Sequence, residues 1–319
     1  MSKEQKELLR CEHLVKEFPV DRKRSVHAVS DINLEIYEGE CLALVGESGC
    51  GKSTLGRTLI QLHKPTSGKV FYKGTDISDM KPAEFAPYRR QMQMIFQDPY
   101  ASLDPRMNVH DIIAEPLRTY KICESKEALT KRVLELMDAV GVPRDFLYRY
   151  PHQFSGGQRQ RIGIARAIAL RPSLVICDEP VSALDVSVQS QVLNLLKDIQ
   201  ANYGLTYLFI SHDLSVVRFI SNRVCVMFLG KICEIGDSEQ IYKKPLHPYT
   251  KFLMNAIPIA DPHLRGEEKQ LLQGELPSPI NPPQGCRFHT RCPYATDRCR
   301  AEEPALREVD GRKVACHLV

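Results

Sequence analysis

Apolar residues arrive along this chain in short unbroken runs, and between the runs in a three-to-four-residue rhythm. The runs LALVG (42–46), MQMIFQ (92–97), LVIC (174–177), TYLFI (206–210) and VCVMFL (224–229) predict buried strands. The rhythm predicts helices over 127–140, 157–170 and 186–202. Strands alternating with helices imply a three-layer α/β core around a mostly parallel sheet. Residues 98–150 carry no strong strand pattern, so a helical subdomain is expected over about 98–170. Six prolines between 257 and 283 mark a linker or irregular wrap, which separates a main domain (1–256) from a tail (284–319). No internal repeat is visible.

Composition narrows the class without naming a function. In 319 residues, 43% hydrophobic and 26% charged content is that of a globular protein, too apolar for disorder. A net charge of +4 without a lysine-rich block makes no case for nucleic acid. MSKEQKELLRCEH has no apolar core behind a positive stretch, so a secretory signal is not expected. No run approaches the roughly 18 apolar residues of a membrane span, so any work at a membrane would need a partner to supply the spanning part. Seven of the eleven cysteines are scattered between Cys11 and Cys233, and four crowd into the last 34 residues. In a reducing compartment such a cluster suggests metal more than disulfides.

The strongest chemical signal is GESGCGKST, Gly46, Glu47, Ser48, Gly49, Cys50, Gly51, Lys52, Ser53 and Thr54, between a strand-like run and a helix-compatible one. It fits G-x-x-x-x-G-K-[ST] in the context that motif requires. Glycines let backbone N–H groups curl around phosphates, and the following helix points its positive end at them. Lys52 is expected to reach the β- and γ-phosphates and Ser53 to bind Mg²⁺. Cys50, inside this loop, is either a redox-sensitive thiol or a tolerated small residue.

LVICDEP (174–180) delivers Asp178 and Glu179 to the C-terminal end of a buried strand, where ligands of open α/β sheets sit. Asp178 would hold the magnesium, and Glu179 would polarise the attacking water. No N-K-x-D guanine reader occurs, so ATP is the expected nucleotide. Phe18, in LVKEFPV, is a candidate to stack on the adenine; a buried core ring is the alternative reading.

FSGGQ, with Ser155, Gly156, Gly157 and Gln158, has the look of a second phosphate grip at the mouth of a helix. Together with GESGCGKST, Gln97 in IFQDP, CDEP, SALD (182–185) and His212 in ISHD, it resembles the ATPase subunits of ATP-binding-cassette transporters in order and spacing over residues 11–260. In that family two cassettes pair head to tail. The resemblance therefore implies that Ser155 to Gln158 cap the γ-phosphate of a nucleotide held by a second ATPase subunit. It implies that Gln97 touches Mg²⁺ and the water, that His212 steadies the γ-phosphate, and that Asp185 makes a contact across the dimer. Phe154 departs from the leucine frequent at its position but leaves the glycines and Ser155 intact. With Glu179 and His212 both present, a hydrolysing cassette is expected.

RYPHQFSGGQRQRIGIARAIALRPSLVICDEP, KKPLHPYTKFLMNAIP (243–258) and the tail GELPSPINPPQGCRFHTRCPYATDRC…ACHLV are similar to the dipeptide and oligopeptide importer branch, and within it to the second ATPase subunit. That likeness implies a heterodimer with another ATPase, two membrane-spanning permease subunits, an extracytoplasmic substrate-binding protein, and a place on the cytoplasmic face of a prokaryotic inner membrane. Branch relatives import nickel, glutathione or haem-like ligands, which stay open as substrates; a soluble cassette ATPase without membrane partners is a further alternative. Cys286, Cys292, Cys299 and Cys316 are spaced x5, x6 and x16, unlike the close pairs of structural zinc sites. Four thiolates suit a 4Fe–4S cluster, and importer ATPases with this tail resemble proteins known to carry one, so the resemblance implies a cluster here. Zinc, with His289 or His317, and unmetallated thiols remain alternatives.

Overall fold

The computed structural model describes residues 6–256 and 275–319. The first part of the proline-rich segment, 257–274, lies outside the described residues. The chain divides into two compact units, one made of 1–79 and 210–319, the other of 80–209.

The first unit holds an antiparallel four-stranded sheet in the order Ser25–Tyr37, Glu7–Pro19, Ser67–Tyr72, Thr75–Asp76. A second run of strands, Arg307–Val309, Arg312–Val314, Lys231–Asp237 and Arg223–Phe228, is antiparallel throughout and then meets Cys41–Val45 in parallel. All five residues of Cys41–Val45 are buried, which explains why this strand reads as a continuous apolar run. The α/β class holds, but the sheet structure is mixed where a mostly parallel one was expected. The missed strands have a physical reason to be cryptic. Glu7–Pro19 and Ser25–Tyr37 shift register four times along their pairing, so neither shows clean apolar–polar alternation.

The C-terminal residues extend this unit's sheet. The hairpin Arg307–Val309/Arg312–Val314 adds to Lys231–Asp237, tied by a buried ion pair between Arg312 and Glu234 at 3.2 Å. Glu234 also accepts from the backbone N–H of Leu246 (3.1 Å) and His247 (2.9 Å), just ahead of the helix Pro248–Asn255. Arg312 in turn donates to the Lys244 carbonyl at 2.8 Å. Phe288 is 1% exposed among Phe228, Tyr249 and Phe252, so residues of the expected separate tail share the unit's core.

In the second unit, Met92–Ile95 pairs in parallel with Leu174–Asp178, as the apolar runs there predict. Its helices include Val109–Thr119, Lys126–Ala139, Gly156–Ile168 and Val186–Tyr203. Each begins where a short polar side chain accepts a backbone N–H: Asn108, Ser125, Ser155 and Asp185. Within this unit helices also lie outside 98–170, at Pro82–Gln91 and Val186–Tyr203.

Candidate functional site

In the first unit, the loop from Gly46 to Gly51 joins the strand Cys41–Val45 to the helix Lys52–Leu59. Glycine is obligatory at two of its positions. Gly46 (φ +151°) would carry a Cβ 2.1 Å from the Met227 carbonyl oxygen, and Gly51 (φ +100°) one 2.0 Å from that of Ala28. Lys52 is 5% exposed, and its Nζ donates to the carbonyls of Gly46 (2.7 Å) and Glu47 (2.9 Å). The ammonium is thereby folded over the loop's concave side, where an anion would meet it. Ser53 and Thr54 follow in the first turn of the helix, both half-buried. Ser48 and Gly49 are exposed at the tip.

Cys50 is 1% exposed, and burial pushes its thiol pKa up, against a smaller pull from Lys52. A thiol both inaccessible and protonated is a poor redox sensor, so the small-residue reading holds. The cysteine fills space behind Gly46, whose Cβ would meet its Sγ at 2.9 Å.

Phe18 is not a core residue, contrary to the alternative weighed for it. It is half-buried, with His63 edge-on at 5.4 Å between centroids and the Lys16 ammonium over its ring at 4.8 Å. A partly exposed ring beside a cation can still offer a face to a flat base. His212 is exposed, in the turn after the strand Thr206–Ile210, and Asp213 beside it caps the helix Leu214–Ile220.

In the second unit, the strand Leu174–Asp178 ends on Asp178, which is fully buried. Glu179 follows in the left-handed region, φ +46°, an uncommon conformation for a glutamate and of the kind held at functional sites. Its carbonyl accepts from the Ser182 hydroxyl at 3.1 Å. Its carboxylate accepts from the Gln97 side-chain amide at 3.0 Å, so two residues 82 positions apart meet.

Behind Gln97, Asp98 caps the short helix Pro99–Ser102. That helix is held by two arginines the sequence reading did not single out: Arg159 stacks on Tyr100 at 3.6 Å, and Arg166 donates to the Ser102 carbonyl at 2.8 Å. Both arginines lie on the helix Gly156–Ile168, whose N-terminus carries Ser155. Their seven-residue spacing in QRQRIGIAR, on one helical face, was the available signal. A mechanical link thus runs from Gln97 to the SGGQ segment.

Ser155 and Gln158 form a reciprocal capping box: the Ser155 hydroxyl accepts from the Gln158 N–H at 3.4 Å, and the Gln158 side chain accepts from the Ser155 N–H at 3.1 Å. Gly157 is required by close packing, since a Cβ there would sit 2.4 Å from Val188 Cγ1. The Cβ of an alanine at Gly156 would meet Leu184 at 3.3 Å. Asp185 caps the helix Val186–Tyr203 through Val188 N–H (3.0 Å) and accepts from the Ser187 hydroxyl (2.7 Å). These hydrogen bonds, Ser187 first, lower its carboxyl pKa and keep it ionised.

Among the C-terminal residues, Cys286, Cys292, Cys299 and Cys316 lie within electrostatic reach of one another in every pairing. Burial raises the pKa of Cys286 to about 11 and lifts those of Cys292 and Cys316. Among the described residues, no three His, Cys, Asp or Glu side chains are arranged to hold a metal ion. His289 and His317 each hydrogen-bond a backbone carbonyl through one ring nitrogen, those of Cys286 (2.9 Å) and Glu302 (3.0 Å). Among the described residues no helix is long and apolar enough to cross a membrane.

The geometry has counterparts among known proteins. Residues 29–182 match the family described as ABC transporter, and residues 233–299 the one described as oligopeptide/dipeptide transporter, C-terminal region. The oligopeptide transport ATP-binding protein OppF of Salmonella typhimurium is 55% identical over 294 residues, covering 92% of this chain and 88% of that protein. The oligopeptide transport ATP-binding protein AppF of Bacillus subtilis is 50% identical over 325 residues, covering 98% of each. A solved dimeric ATP-binding cassette in a post-hydrolysis state, bound to ADP and Pi, superposes with a TM-score of 0.67 at 30% identity, covering 72% of this chain and 99% of that one. The chain belongs to the ABC transporter family, as one of its ATP-hydrolysing, ATP-binding subunits.

Proposed function

We propose that this chain powers the import of di- or oligopeptides through partner membrane subunits. The observation that carries the reading is likeness that runs past the cassette. The C-terminal match over 233–299 takes in the HPYT segment and three of the four clustered cysteines, and the relatives named above are oligopeptide transport ATP-binding proteins along nearly their whole length. In this reading the loop Gly46–Thr54 grips the phosphates of ATP and Lys52 reaches the terminal pair. Ser53, Gln97 and Asp178 would hold Mg²⁺, which would neutralise phosphate charge. Glu179, oriented by Gln97, takes the proton of the attacking water, and His212 steadies the γ-phosphate.

The SGGQ segment serves a nucleotide held by another ATPase subunit. Support comes from the helix N-terminus it presents and from the dimeric state of the solved cassette. A heterodimer, two permease subunits and an external binding protein complete the assembly, at the cytoplasmic face of a bacterial membrane. ATP drives the cycle only because its phosphates favour the closed pair over the open one.

The four C-terminal thiols are the proposed ligands of a 4Fe–4S cluster, which would anchor the segment's fold. Its support is the number of thiols near one another, four, as such a cluster requires.

Vesicles carrying the permeases, this chain and its ATPase partner, supplied with binding protein and labelled peptides, test the reading. ATP-dependent uptake of di- to pentapeptides is expected. Uptake of nickel, glutathione or haem in their place, or ATPase activity untouched by the membrane subunits, would overturn the peptide assignment.

A further inference from the structure

Every polar group of Glu47 is engaged, and two of its partners come from far along the chain. Its carbonyl accepts from Lys52 at 2.9 Å and from the Cys50 N–H at 3.3 Å, both within the phosphate loop. Its N–H donates to the Tyr249 hydroxyl at 2.9 Å, 202 residues away. Its carboxylate pairs with the Arg291 guanidinium at 2.7 Å, 244 residues away. Arg291 is held in place: its side chain is 8% exposed, near the Phe228 ring, between Cys286 and Cys292 in the chain. Tyr249 is fully buried between Phe228 and Phe288, at 4.8 and 5.3 Å between ring centroids.

The first of these contacts has a specific mechanical effect. The Gly46 carbonyl and the Glu47 N–H belong to one planar peptide unit and point in opposite directions. Lys52 holds the carbonyl end at 2.7 Å and Tyr249 the amide end at 2.9 Å. With both ends pinned, the plane cannot rotate, and the Lys52 ammonium is fixed over the loop. Arg291 adds a second, charge-assisted restraint on the same residue through its side chain.

We propose that Tyr249 and Arg291 are positioning residues for ATP: acting through Glu47, they hold the phosphate loop in its gripping shape, so that nucleotide affinity depends on the C-terminal segment being folded. The inference rests on the reading of Gly46–Thr54 as the ATP grip. It assigns the segment around the four cysteines a task at the nucleotide, where anchoring its own fold would otherwise be its whole role. Neither residue touches the nucleotide in this account. Their removal loosens the loop before ATP arrives, so the loss falls on binding more than on the chemical step.

The test uses the full-length chain assembled with its partner subunits and measures Mg-ATP binding together with KM and kcat for ATP. Tyr249→Phe and Arg291→Gln are each expected to raise KM by about 3- to 20-fold, the range for residues acting through an intermediary, with kcat at saturating ATP within about twofold of native. Arg291→Lys restores part of the affinity. The effects of Arg291→Gln and Glu47→Gln are expected to be non-additive, because each removes the same pair. Folded variants with native KM would overturn the proposal. So would a loss that lowers kcat in proportion to the folded fraction and leaves KM alone, since that is the mark of a purely structural role. Lys52→Ala in parallel separates the two layers. If it too leaves ATP affinity intact, the loop itself is not the grip; if it abolishes binding while Tyr249→Phe and Arg291→Gln do nothing, only the positioning claim falls.

Discussion

The Gln97 side-chain amide donates to the Glu179 carboxylate at 3.0 Å, joining the end of one parallel strand to the end of its neighbour. A general base must present its oxygen in a fixed direction, and this bond supplies one constraint on that direction. Gln97→Ala is expected to lower turnover at saturating ATP by about tenfold, a fraction of the 10²–10⁴ that general-base assistance supplies. Gln97→Glu sets a second carboxylate against the first, and one of the two then holds its proton to higher pH. The pH at which activity sets in should move upward. A pH–rate profile of both variants checks the pair; an unshifted profile for Gln97→Glu would argue against contact during turnover.

Gly157 offers a way to separate packing from phosphate recognition. An alanine Cβ there would lie 2.4 Å from Val188 Cγ1, a short branched side chain with little room to yield. Gly157→Ala is expected to cost about 1–3 kcal/mol, the usual price of overpacking. Adding Val188→Ala should return most of that stability in denaturant titrations. Turnover that stays low in the stable double variant would show that the glycine serves the nucleotide as well as the helix contact.

The pair Arg312–Glu234 is buried on both sides, 4% and 0% exposed, and also engages the backbone ahead of Pro248. Removing one partner strands a charge. Arg312→Met is therefore expected to destabilise the first unit by about 3–5 kcal/mol. Thermal denaturation measures it, and limited proteolysis should show the C-terminal hairpin released first.

His247 caps the helix Pro248–Asn255, its Nδ1 accepting from the Tyr249 N–H at 3.0 Å. Burial, with a smaller push from Lys251, lowers its pKa to about 3 from 6.5. The unfolded chain therefore binds a proton that the folded chain refuses between these two values. Stability from the neutral ring is complete above pH 6.5 and is lost progressively as pH falls towards 3. His247→Asn keeps a capping oxygen without the titration, so the stability advantage of the native chain over this variant should shrink as pH falls through that window. A gap constant with pH would contradict the neutral, buried ring.

Much of the site was legible in the sequence because its parts are local. A phosphate loop, a strand ending in Asp178 and Glu179, and a serine-capped helix are each written within ten residues. What pattern reading could not reach depends on long-range register. The strands Glu7–Pro19 and Ser25–Tyr37 are hidden by bulges that break alternation. The bonds from Tyr249 and Arg291 to Glu47 span more than 200 residues, and nothing in either local segment announces a partner. The C-terminal cysteines drew attention as ligands, while the arginine among them, Arg291, belongs to no motif. Phe18 was set between core and cofactor; the antiparallel sheet leaves it half-buried on a strand whose register the sequence does not reveal.

Phosphate release by Glu179→Gln, in the chain assembled with its partner ATPase and permeases, bears most directly on the account. The substitution keeps the shape of the side chain and removes its basicity. ATP binding close to native with phosphate release slowed by at least about 10²-fold is the expected result. Release within a few-fold of native, with ATP bound normally, would mean that the proton of the attacking water goes elsewhere.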